Sequence, residues 1–332
     1  MKKHNLIRRA AAALLGLTAA LSLTACGNTA SGETESKDLP IIGVAQYGEH
    51  GSLDNCRTGF LQGLEEAGLK ENVDYKLDFQ NAGFDDSIDS QIAQKFADED
   101  AALMVGIATP SAVACYNAAE EKDIPVIFIA VTDPAGAKLD SGNVTGTSDV
   151  LPVEGQLQLI RELQPEAKTI GIIYTTSESN SLYSIEQYEK LAGDYGFIID
   201  AVAVTAQAEV TQAVDKLLAD KVDCLSNLTD NNVVGVLPAI LEKTDAAGIP
   251  VYGSEVEQVK LGCAAGAGLD YVKLGIQTGE MAAKVLNGEA KCQDLPYEII
   301  VDYDLYVNSQ VLTALGLELP ADLADTAVEC GA

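Results

Sequence analysis

The stretch Ala102-Leu103-Met104-Val105-Gly106-Ile107-Ala108-Thr109-Pro110-Ser111 is an apolar run that ends abruptly at a helix start. Ala102 to Ile107 contain no polar side chain, so a strand here is buried on both faces, the condition of a parallel sheet beneath helices. Thr109 is the expected N-cap and Pro110 the first helical residue, with helical periodicity over residues 111 to 121. The same strand-turn-helix unit recurs on both sides of it. Strands are expected at residues 41 to 46, 74 to 79, 125 to 130, 169 to 174, 197 to 204, 222 to 228, 249 to 252 and 263 to 268. Helical periodicity fills residues 53 to 67, 88 to 98, 153 to 163, 185 to 195, 210 to 219, 233 to 247 and 271 to 286. Alternation of this kind specifies an α/β chain with mostly parallel sheets.

The rhythm breaks at residues 131 to 152. Val131-Thr132-Asp133-Pro134 and Asn143-Val144-Thr145-Gly146-Thr147-Ser148-Asp149 replace helix by turn residues, and a new series begins at Val153. About 290 residues take part, more than one ordinary core holds, so the expected architecture is two doubly wound parallel-sheet lobes joined by a hinge. Facing lobes of this type place the C-terminal strand ends, and the helix N-termini after them, around one crevice. Candidate loops at those ends are Ala108-Thr109-Pro110-Ser111, the segment from Tyr174 to Ser181, and Thr229-Asp230-Asn231-Asn232. Ser, Thr, Asn and Asp cap helices, yet amides that a cap leaves free can still hold an anion. Such loops can grip a carboxylate while Asp230 faces an ammonium. Tyr47, Phe84, Tyr174 and Tyr252 line the same crevice or belong to the core.

Residues 1 to 25 read as a secretory leader. Lys2, Lys3, Arg8 and Arg9 form its basic part and residues 10 to 23 its apolar part, which is shorter than the roughly 20 residues of a spanning helix. Leu23-Thr24-Ala25-Cys26-Gly27 resembles a lipoprotein lipobox, so Cys26 is the expected site of lipidation and the first residue of the mature chain. Residues 26 to 39 are a polar tether with a reach on the order of 20 Å. Of the 21 basic side chains, four lie in the leader, which leaves 17 against 50 acidic ones and a formal charge of −33. Nucleic acid and anionic lipid surfaces are repelled by such a chain.

Catalytic and cofactor motifs are missing from the sequence. His50 is the one imidazole beyond the leader, and no G-x-S-x-G elbow accompanies it. Cys56, Cys115, Cys224, Cys263, Cys292 and Cys330 fall in separate elements without a CxxC pair, which favours buried thiols over a zinc site or a disulfide framework. Neither a P-loop nor a strand-following G-x-G-x-x-G occurs, and Ala265-Gly266-Ala267-Gly268 reads as a glycine-rich strand. No cofactor, metal or enzymatic turnover is expected.

Several ordered segments together resemble the ABC-transporter substrate-binding lipoproteins that include the tryptophan-binding type. These are Ile42 to Tyr47 with His50, Leu53 and Asp54; Val105 to Pro110; Val131 to Pro134; Gly142 to Gly146 with Ser148 and Asp149; Ile170-Gly171 with Tyr174; Ser177 to Asn180; and Asp230-Asn231. Asn227-Leu228-Thr229 departs from the family, where a proline-containing segment is expected before Asp230. The resemblance implies a type I periplasmic-binding-protein fold, with residues 40–148 and 254–292 in the first lobe and 149–253 and 293–328 in the second. It also implies capture of a small amino acid, often aromatic, and delivery to a membrane permease and its ATPase by a protein anchored outside the cytoplasm. In that reading Ser177, Ser179, Asn180, Thr109 and Ser111 hold the carboxylate and Asp230 the ammonium, with Asp270, Glu255 or Asp133 next in line should Asp230 be only a cap, while Gln46, Tyr47, Thr132, Tyr174 and Asn231 line the remainder. A sugar or nucleoside receptor of the same fold, or a sensor in place of a transport component, remains open at this point.

Overall fold

The computed structural model describes residues 39–331. The leader, Cys26 and the tether through residue 38 lie outside the described residues. Thirteen strands occur among the described residues: β1 (Ile41–Gln46), β2 (Lys76–Asn81), β3 (Leu103–Ile107), β4 (Val126–Ile129), β5 (Val144–Ser148), β6 (Thr169–Thr175), β7 (Ile198–Val204), β8 (Cys224–Ser226), β9 (Val251–Glu255), β10 (Ala265–Leu269), β11 (Glu298–Ile299), β12 (Asp304–Val307) and β13 (Val328–Glu329). The first sheet has the order β11-β5-β4-β3-β1-β2 with every pairing parallel. The second has the order β13-β12-β10-β9-β8-β6-β7 and is parallel except where β12 runs against β10.

Each sheet is buried by helices, which explains why its strands read as apolar runs. β3, β4 and β5 are buried at every position. The helix pairs Gly51–Glu66 with Tyr271–Leu286, and Asp86–Asp98 with Thr109–Ala119, cover the first sheet. In the first of these pairs the backbones touch: a Cβ on Gly59 or Gly63 would sit 2.1 Å from the carbonyl oxygen of Val272 or Ile276. Gly275 and Gly279 face back in the same way, 2.3 Å from the carbonyls of Cys56 and Phe60. The glycines thus draw a helix from late in the sequence onto the first lobe. The second sheet carries a separate core on each face, one around Leu157, Ile172 and Tyr188, the other around Val214, Leu225 and Ile240.

Two expectations are corrected here. Residues 144–148, read as turn, form a buried strand of the first sheet. Two of its hydroxyls are satisfied in place, Thr147 Oγ1 with Thr278 Oγ1 at 2.7 Å and Ser148 Oγ donating to the Thr132 carbonyl, while Thr145 Oγ1 is buried without a partner. Gly146 is required because a Cβ would meet the Phe128 carbonyl at 2.0 Å. The division of the late segments also differs from the one expected. β9, the helix Val256–Leu261 and β10 belong with the second sheet, the helix Tyr271–Leu286 packs on the first, β11 is in the first and β12 in the second. The chain therefore passes between the lobes three times, after β5, after β10 and after β11.

The remaining differences are local. The helix expected at 185 to 195 starts at Ser179, and that expected at 233 to 247 is two helices, Asn231–Val234 and Leu237–Ala247. A proline in the first turn of the second one resets the chain there. Cys56, Cys115, Cys224, Cys263 and Cys292 are buried free thiols, and Cys330 is half-buried and free. No helix among the described residues is long and apolar enough to cross a membrane.

Candidate functional site

Strand ends from both lobes line one cavity in the cleft. The first lobe contributes His50, Ser52 and Leu53 after β1, Ala108 and Thr109 after β3, Ala130 and Thr132 after β4, Asp149 after β5, and Tyr271. From the second lobe come Asn180, Thr229, Asn231, Val234, Glu255 and Gln258. Hydrogen bonds cross the cleft between the lobes. Asn55 Nδ2 donates to Glu257 at 3.0 Å, His50 Nε2 meets Asn231 Oδ1 at 3.4 Å, and the hydroxyls of Thr132 and Thr229 meet at 3.5 Å. The lobes are closed on each other.

Two buried carboxylates stand on the cavity wall. Asp149 accepts from Thr132 Oγ1 at 2.9 Å and from the Tyr271 hydroxyl at 2.7 Å, and burial raises its pKa to about 6 against the pull of those bonds. Glu255 ends β9 and caps the helix Val256–Leu261, accepting from the amides of Glu257 and Gln258 at 2.6 and 2.9 Å. Ser52 of the first lobe adds a further bond to it, yet burial still lifts its pKa to about 7. A carboxylate offers about four acceptor positions. Both groups therefore keep lone pairs for a cationic donor, which would in turn lower their pKa values.

Other polar atoms of the cavity have no partner. His50 Nδ1, Thr109 Oγ1 and Asn180 Oδ1 are buried and unbonded. Such atoms cost about 1 to 3 kcal/mol each unless a solute or water satisfies them. Most of them are acceptors, so the cavity calls for a donor-rich solute. A site for negative charge exists as well, because the helix Thr109–Ala119 begins at the cavity, with a proline in its first turn and no side-chain cap. Its N-cap Ala108 has φ 75°, and Ala130 at the end of β4 has φ 58°. Left-handed alanines cost of order 1 kcal/mol, and both lie on this cavity wall.

The residues singled out in the sequence separate into three groups. Thr109, Thr132, Asn180 and Asn231 line the cavity. Ser177 and Ser179 line a neighbouring groove at the cleft edge with Asp86, Asp89 and, again, Thr109. The others are engaged elsewhere. Gln46 is fully buried, donating to the Gly48 carbonyl and Asp54 and accepting from Arg57. Tyr47 donates to Asp86 at 2.8 Å and packs edge-on against Phe84. Ser111 donates to Asp89 at 2.8 Å, and Tyr174 packs at the margin of the second-lobe core.

Asp230 is the main correction. Its carboxylate accepts from the Thr175 amide and hydroxyl, from Ser181 Oγ and from the Val233 amide, which fills its acceptor positions. It caps the helix Asn231–Val234 and does not line the cavity. Thr109 is not a cap either, since Ala108 occupies that position. Glu178, unnoticed in the sequence, accepts from Asn180 Nδ2 and from the amides and side chains of Asn231 and Asn232. Burial and the nearby Asp230 push its pKa upward.

Comparison with known proteins gives a consistent result. The family described as ABC transporter substrate binding protein matches residues 41–330. A tyrosine-binding protein of Clostridioides difficile (strain R20291) is 38% identical over 97% of this chain and 95% of its own. An ABC domain from Streptococcus pneumoniae in complex with L-Trp is 34% identical, with TM-score 0.84, over 88% of this chain and 99% of that one. A ligand-free, open substrate-binding protein with adhesive properties from Clostridium difficile is 39% identical over the same shares, but its TM-score is 0.65. The chain shares its fold with both structures.

Proposed function

The chain belongs to the ABC transporter substrate-binding protein family, and from that premise we propose that its cargo is an aromatic amino acid, tyrosine foremost. The observation that carries the reading is the pair Asp149 and Glu255, buried on the wall of a closed cavity with acceptor capacity left over. An ammonium there replaces water as the partner of two desolvated carboxylates. The carboxylate of the solute goes to the open N-terminus of the helix Thr109–Ala119 and the Thr109 hydroxyl. Leu53, Val234, Ala108 and Ala130 supply apolar wall for a side chain. A relative named as tyrosine-binding and another holding L-Trp support the same ligand class.

Each lobe holds part of the constellation, so the solute's contacts to both exist only in the closed form, and binding shifts the hinge equilibrium toward it. The family role is then delivery to an ABC importer, with no covalent step. Cys26 lipidation, following the leader, would hold the protein at the outer face of the membrane. A thermal-shift series tests the ligand class. With a dissociation constant near 1 μM, tyrosine at 1 mM adds roughly 4 kcal/mol of stability, while glucose, ribose and adenosine add none. A clear response to a sugar with none to tyrosine, tryptophan or phenylalanine overturns the reading.

A further inference from the structure

His50 enters the cavity from the first lobe with its ring stacked 6.3 Å from Phe84 at an interplanar angle of 7°. Its Nε2 faces Asn231 Oδ1 of the second lobe. Which atom of the Asn231 amide faces the ring is fixed from behind, because Asn231 Nδ2 donates to Glu178 at 2.7 Å and a carboxylate there can only accept. The oxygen must therefore point at His50, and Nε2 must carry the proton. Burial holds the imidazole neutral, with a pKa near 4, so Nδ1 is left as a bare lone pair. That nitrogen is buried on the cavity wall without a partner.

The position of His50 separates it from the ammonium subsite. Asp149 accepts from Tyr271 and Glu255 from Ser52, whereas the imidazole faces Asn231. The cavity thus has a carboxylate end and an imidazole end. An amino acid whose ammonium sits at the first presents its side chain toward the second.

We propose that His50 reads a hydrogen-bond donor carried by the ligand's ring, through an Nδ1 lone pair oriented by Asn231 and Glu178. The inference rests on the reading of the cavity as an aromatic amino-acid site. It names the side-chain chemistry that site selects: a phenol hydroxyl or an indole N–H is accepted, and a bare phenyl ring leaves Nδ1 buried and unpaired. Because Asn231 belongs to the other lobe, the tautomer is locked only when the cleft closes. Recognition of the ring donor and closure are then one event.

Titration calorimetry on the full chain tests this with tyrosine and phenylalanine as probes. Tyrosine is expected to bind about tenfold to a hundredfold more tightly than phenylalanine, the penalty of one unpaired buried acceptor. In His50→Phe, which keeps a ring against Phe84, tyrosine loses that advantage and phenylalanine binds at least as well as before. His50→Gln, with an NH₂ to donate to Asn231 and a carbonyl oxygen to accept from the ligand, restores part of the preference. Nitrogen NMR of the tyrosine complex, in which His50 is the one imidazole beyond the leader, should show Nε2 protonated and Nδ1 bare. This needs only the unmodified protein should the variant not fold. A proton on Nδ1, or equal affinity for the two amino acids, overturns the role of His50 while leaving the amino-acid site intact. Failure of any aromatic amino acid to bind removes the site reading and the inference with it.

Discussion

Asp230 and Glu255 open two short helices of the second lobe, Asn231–Val234 and Val256–Leu261, and both are buried carboxylates that accept from first-turn amides. Asp230 then receives Thr175 twice and Ser181, so that its acceptor positions are filled from within its own lobe. Glu255 receives a bond from Ser52 across the cleft and faces the cavity, with burial lifting its pKa to about 7. Position at a helix start and depth of burial are the same in the two cases. Spare lone pairs, and the surface they face, make one of them a ligand group and the other a structural link.

The largest test of this comparison is Glu255→Gln. Removing the carboxylate leaves the solute's ammonium short of a buried partner, a loss of about 3 to 5 kcal/mol, so calorimetry should find affinity for tyrosine reduced more than a hundredfold. Binding within threefold of the parent would place the ammonium elsewhere.

Asp230→Asn should do the reverse. An amide at this position sets an N–H₂ against donors such as Thr175 Oγ1 and Ser181 Oγ, at a cost of about 1 to 3 kcal/mol in folding stability. Denaturant unfolding should show that loss, while affinity for tyrosine in the folded protein stays within about threefold. Collapse of binding with unchanged stability would restore Asp230 as the ammonium partner.

A smaller effect follows from proton linkage. Burial raises the pKa values of Asp89 and Asp149 to about 6 and of Glu255 to about 7, and raises Glu178 as well. Groups raised above their unfolded values contribute stability below those unfolded values and lose it as pH rises through the folded ones. His50, lowered to about 4, opposes them, since its contribution is lost as pH falls below its ordinary value near 6.5. The carboxylates outnumber it, so the ligand-free melting temperature should rise between pH 8 and pH 6. Affinity moves the other way. An ammonium needs Asp149 and Glu255 ionised, and the dissociation constant should weaken by up to about tenfold per pH unit below 6. Melting and binding curves that fall together with pH would contradict the assignment.

The sheets were legible in the sequence because their strands are buried on both faces, and β1, β3 and β6 lie where their apolar runs place them. β5 was not, because Val-Thr-Gly-Thr-Ser looks like a turn until Thr278 and the Thr132 carbonyl supply partners for the hydroxyls of Thr147 and Ser148. That single miss also hid Asp149, which stands at the C-terminal end of β5. Glu255 stood behind Asp230 as an ammonium partner, alongside Asp270 and Asp133, since the expected strand stopped at residue 252 and β9 runs to 255. Thr109, Thr132, Asn180 and Asn231 were found because they follow strands whose ends were read closely enough. Asp230 misled because a capping acid and a ligand acid share the same local sequence, and only the positions of Thr175 and Ser181 in three dimensions tell them apart.

The most direct measurement is the place of the ligand's nitrogen in a crystal structure of the protein grown with L-tyrosine. The ammonium is expected within hydrogen-bonding distance of Asp149 or Glu255, in the cavity between closed lobes. A nitrogen bound to Asp230, or tyrosine lying outside that cavity, would contradict it.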